Sequence, residues 1–114
     1  MNRLITGFFA LWILSFGAFS AAWAGDDAVE KQVVLSNHVF DPQEVVIPAN
    51  TKVKLTVVNK DASAAEFESD ELNREKVVPA NGQSYVYIGP LDAGTYNFVD
   101  DFHRSTTTGK ITVK

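Results

Sequence analysis

Cysteine is absent from all 114 residues, and methionine occurs once, as Met1. That absence excludes disulfides, iron–sulfur clusters, thiolate zinc sites, c-type haem attachment and thiol catalysis. Histidine is nearly as scarce, with only His38 and His103, so a three-histidine catalytic zinc site cannot form. No G-x-S-x-G, P-loop or H-E-x-x-H motif occurs. Ser105, His103 and Asp101 supply the residue types of a hydrolytic triad, but side chains drawn from one short loop rarely reach triad geometry. No basic stripe runs through the chain, which argues against nucleic acid as a partner. What remains is ordinary for a single globular domain: 46% hydrophobic, 21% charged, net charge −4.

The one long apolar run is N-terminal. Arg3 supplies a positive start, Leu4 to Phe19 is apolar, and Ala22-Trp23-Ala24 precedes the acidic Gly25-Asp26-Asp27. These three parts make a Sec-type signal peptide over residues 1–24, cleaved after Ala24, with periplasmic export and no membrane insertion afterwards. An uncleaved anchor is the rival, but the run is short for a span and contains Gly7 and Gly17. Cleavage removes both tryptophans, the lone methionine and the charge of Arg3, taking the net charge to −5. The exported domain then contains no sulfur, and its core alone must stabilise it.

Residues 25–31 read as a flexible lead-in to a domain over 32–114. Short β-rich runs follow: Gln32–Leu35, Glu44–Ile47, Lys52–Val57, Tyr85–Ile88, Thr95–Val99 and Lys110–Lys114. Pro48-Ala49-Asn50, Asn59-Lys60-Asp61, Gly89-Pro90 and Asp92-Ala93-Gly94 separate them as turns. Lys52 to Val57 alternates polar and apolar, the period of a half-buried strand. Ser69 to Glu75 is polar and helix-compatible, with Ser69 placed to cap it and Asp70 and Glu71 in its first turn. Many short strands with one short helix near 69–75 define an all-β sandwich or barrel.

Gly94-Thr95-Tyr96-Asn97-Phe98-Val99, a polar loop, and Gly109-Lys110-Ile111-Thr112-Val113 resemble the end of a cupredoxin. There, two such strands flank the metal loop. Phe40-Asp41-Pro42 and Val45 to Ala49 resemble its opening strands. More narrowly, Ala65-Glu66-Phe67-Glu68-Ser69, Arg74-Glu75-Lys76, Gly89-Pro90-Leu91 and Asp100-Asp101-Phe102-His103 resemble the EfeO-type cupredoxin-like branch. The resemblance covers residues 32–114. It implies a Greek-key β-sandwich and a role beside a periplasmic iron-binding protein and an Ftr-type iron permease.

The departures from the blue-copper pattern carry the chemistry. The family's first histidine precedes a Glu-Phe pair, where this chain has Ala65. Asp100 stands at the cysteine position, His103 at the second histidine, and Thr107 or Thr108 at the axial methionine. Type 1 copper is thereby excluded, since soft sulfur ligands define it. Continuing the 95–101 strand puts Tyr96, Phe98 and Asp100 on one face, with His103 across the loop. Glu66 and Glu68 share a face opposite Ala65 and Phe67. Asp100, His103, Glu66, Glu68 and Asp101 are therefore the candidate metal ligands, a hard set suited to iron, manganese or zinc.

Simpler readings stand beside this one. Asp100 and Asp101 read equally as a solvated loop pair, and Glu66 and Glu68 as the polar half of a strand. His38 reads as a surface residue. Arg74 can pair with Asp70 or Glu71, or neutralise Glu66 or Glu68, which would argue against a metal there. The expected function is an exported accessory protein of iron uptake that binds or helps oxidise Fe(II) for an iron permease. The alternatives are a metal-free interaction module of the transport complex and a Cu(II)-binding periplasmic protein.

Overall fold

The computed structural model describes residues 28–114, so the expected signal peptide lies outside the described residues. Nine strands follow in order: β1 (Val29–Ser36), β2 (Val39–Asp41), β3 (Glu44–Ile47), β4 (Val53–Asn59), β5 (Ala65–Ser69), β6 (Arg74–Val78), β7 (Gln83–Ile88), β8 (Gly94–Asp100) and β9 (Thr108–Val113). They form two sheets, one ordered β2-β1-β4-β7 and the other β3-β9-β8-β5-β6. The pairs β1/β4 and β3/β9 are parallel and the remainder antiparallel.

The two sheets face each other across an apolar core. β4 shows the reason most plainly: Val53, Leu55, Val57 and Asn59 are buried while Lys54, Thr56 and Val58 are half-exposed, one face of a pleated strand. Phe98 of β8 sits at the centre, edge-on to Phe40 at 4.9 Å and tilted against Phe67 at 5.0 Å. Its ring lies over Gly109 of β9, where a Cβ would stand 2.4 Å from Phe98 Cζ. Glycine at that position is therefore a packing requirement.

Two expectations are corrected. β1 begins at Val29, paired in parallel with Val53, so residues 29–31 belong to a strand and not to a flexible lead-in. Residues 69–75 form no helix. Ser69 ends β5, residues 70–73 turn, and Arg74 starts β6 in antiparallel register with Ser69. Ser69 Oγ does cap the turn by accepting from Leu72 N at 3.2 Å, but Asn73 adopts φ 54° and stops it after four residues. A single turn fixes backbone for too few hydrogen bonds to persist as a helix, while the β5 edge offers a full ladder. The helical turn among the described residues is instead a short 3-10 segment, Asp101–His103, directly after β8.

Candidate metal centre

One end of the sandwich gathers the tip of the β1–β2 hairpin, the β8–β9 loop and the neighbouring part of β5. The five expected ligands all lie there, but they fall into two groups. Asp100 and His103 join His38; Glu66, Glu68 and Asp101 form a second cluster. Within each group the donor atoms lie within 4.8 Å of one another.

Asp100 ends β8 opposite Phe67 and is 1% exposed, so it is no solvated loop residue. Its Oδ1 accepts from Glu66 N at 2.9 Å and from Phe102 N at 3.1 Å, which caps the 3-10 turn. Its Oδ2 faces His103 Nδ1 at 3.1 Å. A carboxylate oxygen can only accept, so Nδ1 carries a proton, and in the neutral ring the Nε2 lone pair is left for a ligand. A carboxylate behind an imidazole in this way orients it and raises its basicity. Asp100 would thus act on a metal chiefly through His103.

His38 is exposed, as the sequence implies, and it stands beside His103, a proximity that the sequence alone does not show. It forms a two-residue turn with Asn37, at φ 52° and 59°, the left-handed pair that suits a tight hairpin. Asp61 holds that turn from beneath, its carboxylate accepting from Asn37 N at 2.6 Å and His38 N at 3.0 Å. Buried Asn59 fixes the Asp61 loop by accepting from Asp61 N and donating to Ser63 O. The His38 and His103 rings lie 4.2 Å apart, centroid to centroid. Each has a carboxylate on its Nδ1 side, Asp61 at 3.7 Å and Asp100 at 3.1 Å. The available signal was the histidine count: both imidazoles of the chain stand together here.

Thr107, at the expected axial position, is a strut. It is 1% exposed, donates from Oγ1 to His38 O at 2.8 Å, and accepts from Asp100 N at its carbonyl. It ties the two histidine-bearing loops together.

The second cluster is more open. Glu66 and Glu68 project from the outer face of β5, and Asp101 opens the 3-10 turn beside them. The Glu66 carboxyl is pushed above the usual glutamate range by desolvation, then by the charge of Glu75, with further contributions from Asp101 and Glu68. Arg104 answers part of this charge. Its guanidinium bonds Asp101 Oδ1 at 2.8 Å and Glu68 Oε2, with Asp70 at 3.8 Å. Arg74 does not take that role: it donates to the carbonyls of Tyr87, Asn73 and Leu72.

The family model for the cupredoxin-like domain matches residues 4–113. The chain belongs to the cupredoxin-like family. A protein of Rickettsia prowazekii (strain Madrid E) is 32% identical over 106 residues, covering 93% of this chain and 85% of that one. Among solved folds, auracyanin A, a blue copper protein of Chloroflexus aurantiacus, aligns with a TM-score of 0.67 at 17% identity, covering 77% of this chain and all of that one. The metal-binding domain of the Cu(I)-exporting ATPase CopA from Streptococcus pneumoniae D39 aligns with a TM-score of 0.67 at 11% identity, covering 75% and 84%. A purple cupredoxin of Nitrosopumilus maritimus gives 0.57 at 20% identity, covering 77% and 100%. At these identities the likeness is one of fold. This cupredoxin-like chain, lacking cysteine, has no type 1 copper site.

Proposed function

We propose that this is an exported accessory protein of bacterial iron uptake that binds Fe(II) through Glu66, Glu68 and Asp101 and passes it to a membrane permease. The observation that carries this reading is the convergence of three carboxylates within 4.8 Å, on a sheet face where the Glu66 carboxyl is already pushed above the usual glutamate range. A hard dication relieves that repulsion and takes oxygen donors by preference. Arg104, half-exposed and paired with Glu68 and Asp101, is the counterion that such an ion would displace. The donors themselves are redox-inert, so the chain's own contribution is to bind and hand on. Delivery to a permease and work beside a periplasmic iron-binding protein rest on the EfeO-type resemblance.

A second reading is favoured by the other group. Two imidazoles 4.2 Å apart, each with a carboxylate behind it, suit Cu(II) without electron transfer. Structural neighbours described as copper proteins lend it weight. Isothermal titration with Fe(II) under anaerobic conditions, Fe(III), Cu(II) and Zn(II) separates the two. Fe(II) binding abolished in the double variant E66Q/E68Q and kept in H38A/H103A supports the iron reading. Cu(II) binding with the reverse dependence supports the second. Absence of binding to any of the four metals overturns both and leaves an interaction module.

A further inference from the structure

On the outer face of the four-stranded sheet lysines gather around two tyrosines, although the chain as a whole is acidic. Lys52 Nζ lies 4.8 Å from the centre of the Tyr87 ring. Lys54 Nζ lies 4.4 Å from the centre of Tyr85, and Lys76 Nζ approaches the same ring at 6.0 Å. The two tyrosines meet edge to face at 5.6 Å and are 47% and 44% exposed. β6 meets β7 at the seam between the sheets, where Ser84 Oγ donates to Val77 O at 2.9 Å, and this brings Lys76 beside Tyr85.

Two structural roles leave this arrangement unexplained. Lysines guard sheet edges against pairing, which suits Lys76 on the edge strand β6. β4 is an interior strand, so Lys54, and Lys52 just ahead of it, have no edge to guard. Nor does ion pairing hold them. Among the described residues the ion pairs engage His38, His103 and Arg104, and none of these three lysines. Glu30, the ladder neighbour of Lys54, makes no such pair.

We propose that this face docks an acidic protein segment. Its carboxylates would meet Lys52, Lys54 and Lys76, and its apolar atoms would cover Tyr85 and Tyr87. The argument is charge complementarity around an aromatic centre. The chain carries −4 overall, so an acidic partner is repelled by most of its surface and attracted here. Half-exposed tyrosines ringed by cations have the composition of an interface centre with its polar rim. Ammonium groups held over rings are also partly ordered before a partner arrives, which lowers the entropy lost on binding.

The test is an NMR titration of the 15N-labelled chain with short poly-L-glutamate, alongside poly-L-lysine and vesicles containing phosphatidylglycerol. The expected result is saturable shifts confined to the amides of Lys52–Thr56, Lys76–Val77 and Ser84–Tyr87 with poly-L-glutamate alone. Binding should weaken by about tenfold or more in K52Q/K54Q, and likewise when salt rises from about 50 to about 500 mM. A fingerprint for K52Q/K54Q that matches wild type elsewhere shows the fold intact. Shifts that map to Arg104, equal binding to the vesicles, or broadening with protein concentration in the absence of any probe would each overturn the proposal. Respectively they would indicate the acid cluster, a membrane surface or a second copy of the chain as the true contact.

Discussion

Asp100 and Asp101 are neighbours in sequence with opposite fates. Asp100 is buried, and both of its oxygens are engaged by two backbone amides and His103. Asp101 is partly exposed, faces Glu66 and Glu68, and shares Arg104 with Glu68. The difference comes from where β8 stops. Asp100 is the last inward position of the strand, level with Phe67, whereas Asp101 is the first residue to leave the sheet. A carboxylate on the core side must be satisfied by the protein, because water cannot reach it. One on the outer side can keep its charge available. Adjacent acids in one loop therefore need not share a role: the first builds the loop and aims an imidazole, and the second keeps its charge at the surface, beside Glu66 and Glu68.

Breaking the buried member should have the largest effect. Asp100→Ala strands the amides of Glu66 and Phe102 and removes the support behind His103. Its expected cost is about 3–5 kcal/mol, since buried donors left unpaired lose about 1–3 kcal/mol each. Asp100→Asn keeps an acceptor for both amides and should cost about 1–2 kcal/mol. Urea unfolding of the two variants measures the difference. Equal losses for Ala and Asn would mean that the capping bonds contribute little and the negative charge matters instead.

Removing the cation from the exposed side should change affinity more than stability. Arg104→Gln leaves Glu68 and Asp101 without their counterion, so a divalent cation should bind the acid cluster on the order of tenfold more tightly. The His38/His103 group, whose partners are Asp61 and Asp100, should keep its affinity. Titration of the variant with Fe(II) and Cu(II) reads both clusters. A matching gain for both ions would mean that the two groups behave as one site.

Much of the fold could be read from the chain because it rests on local pattern. The alternation in β4 and in Thr95–Val99, and the Gly-Pro and Asp-Pro breaks, place those strands without tertiary information. β6 escaped because four of its five residues are exposed, so it carries no alternating signal, and its register comes from β5. β2, three residues long, is too short for a period to register. At the site, the switch from sulfur to oxygen and nitrogen donors was visible by position, and so was the shared face of Glu66 and Glu68. The division into two clusters was not. His38 is set by Asp61, 23 residues away, and Arg104 reaches Glu68 across 36. Contacts at such separations leave no trace in periodicity.

The finest distinction concerns protons on the exposed side. Glu66 has its carboxyl raised above the ordinary glutamate value, by desolvation first and by Glu75, Asp101 and Glu68 after it. A raised value means that the folded state holds the proton more tightly than the unfolded one does. The resulting stability is fully present below the unfolded pKa and is lost as pH climbs through the folded one. Glu66→Gln removes that dependence. The variant should melt slightly above wild type at pH 7, where the native carboxylate suffers the repulsion, and the gap should close towards pH 4. No comparable carboxylate crowding surrounds Asp100, whose oxygens meet donors, so Asp100→Asn should lower the melting point at pH 7. Thermal melts of both variants across that range test the contrast. A Glu66→Gln advantage that persists at low pH would place its origin in packing and not in charge.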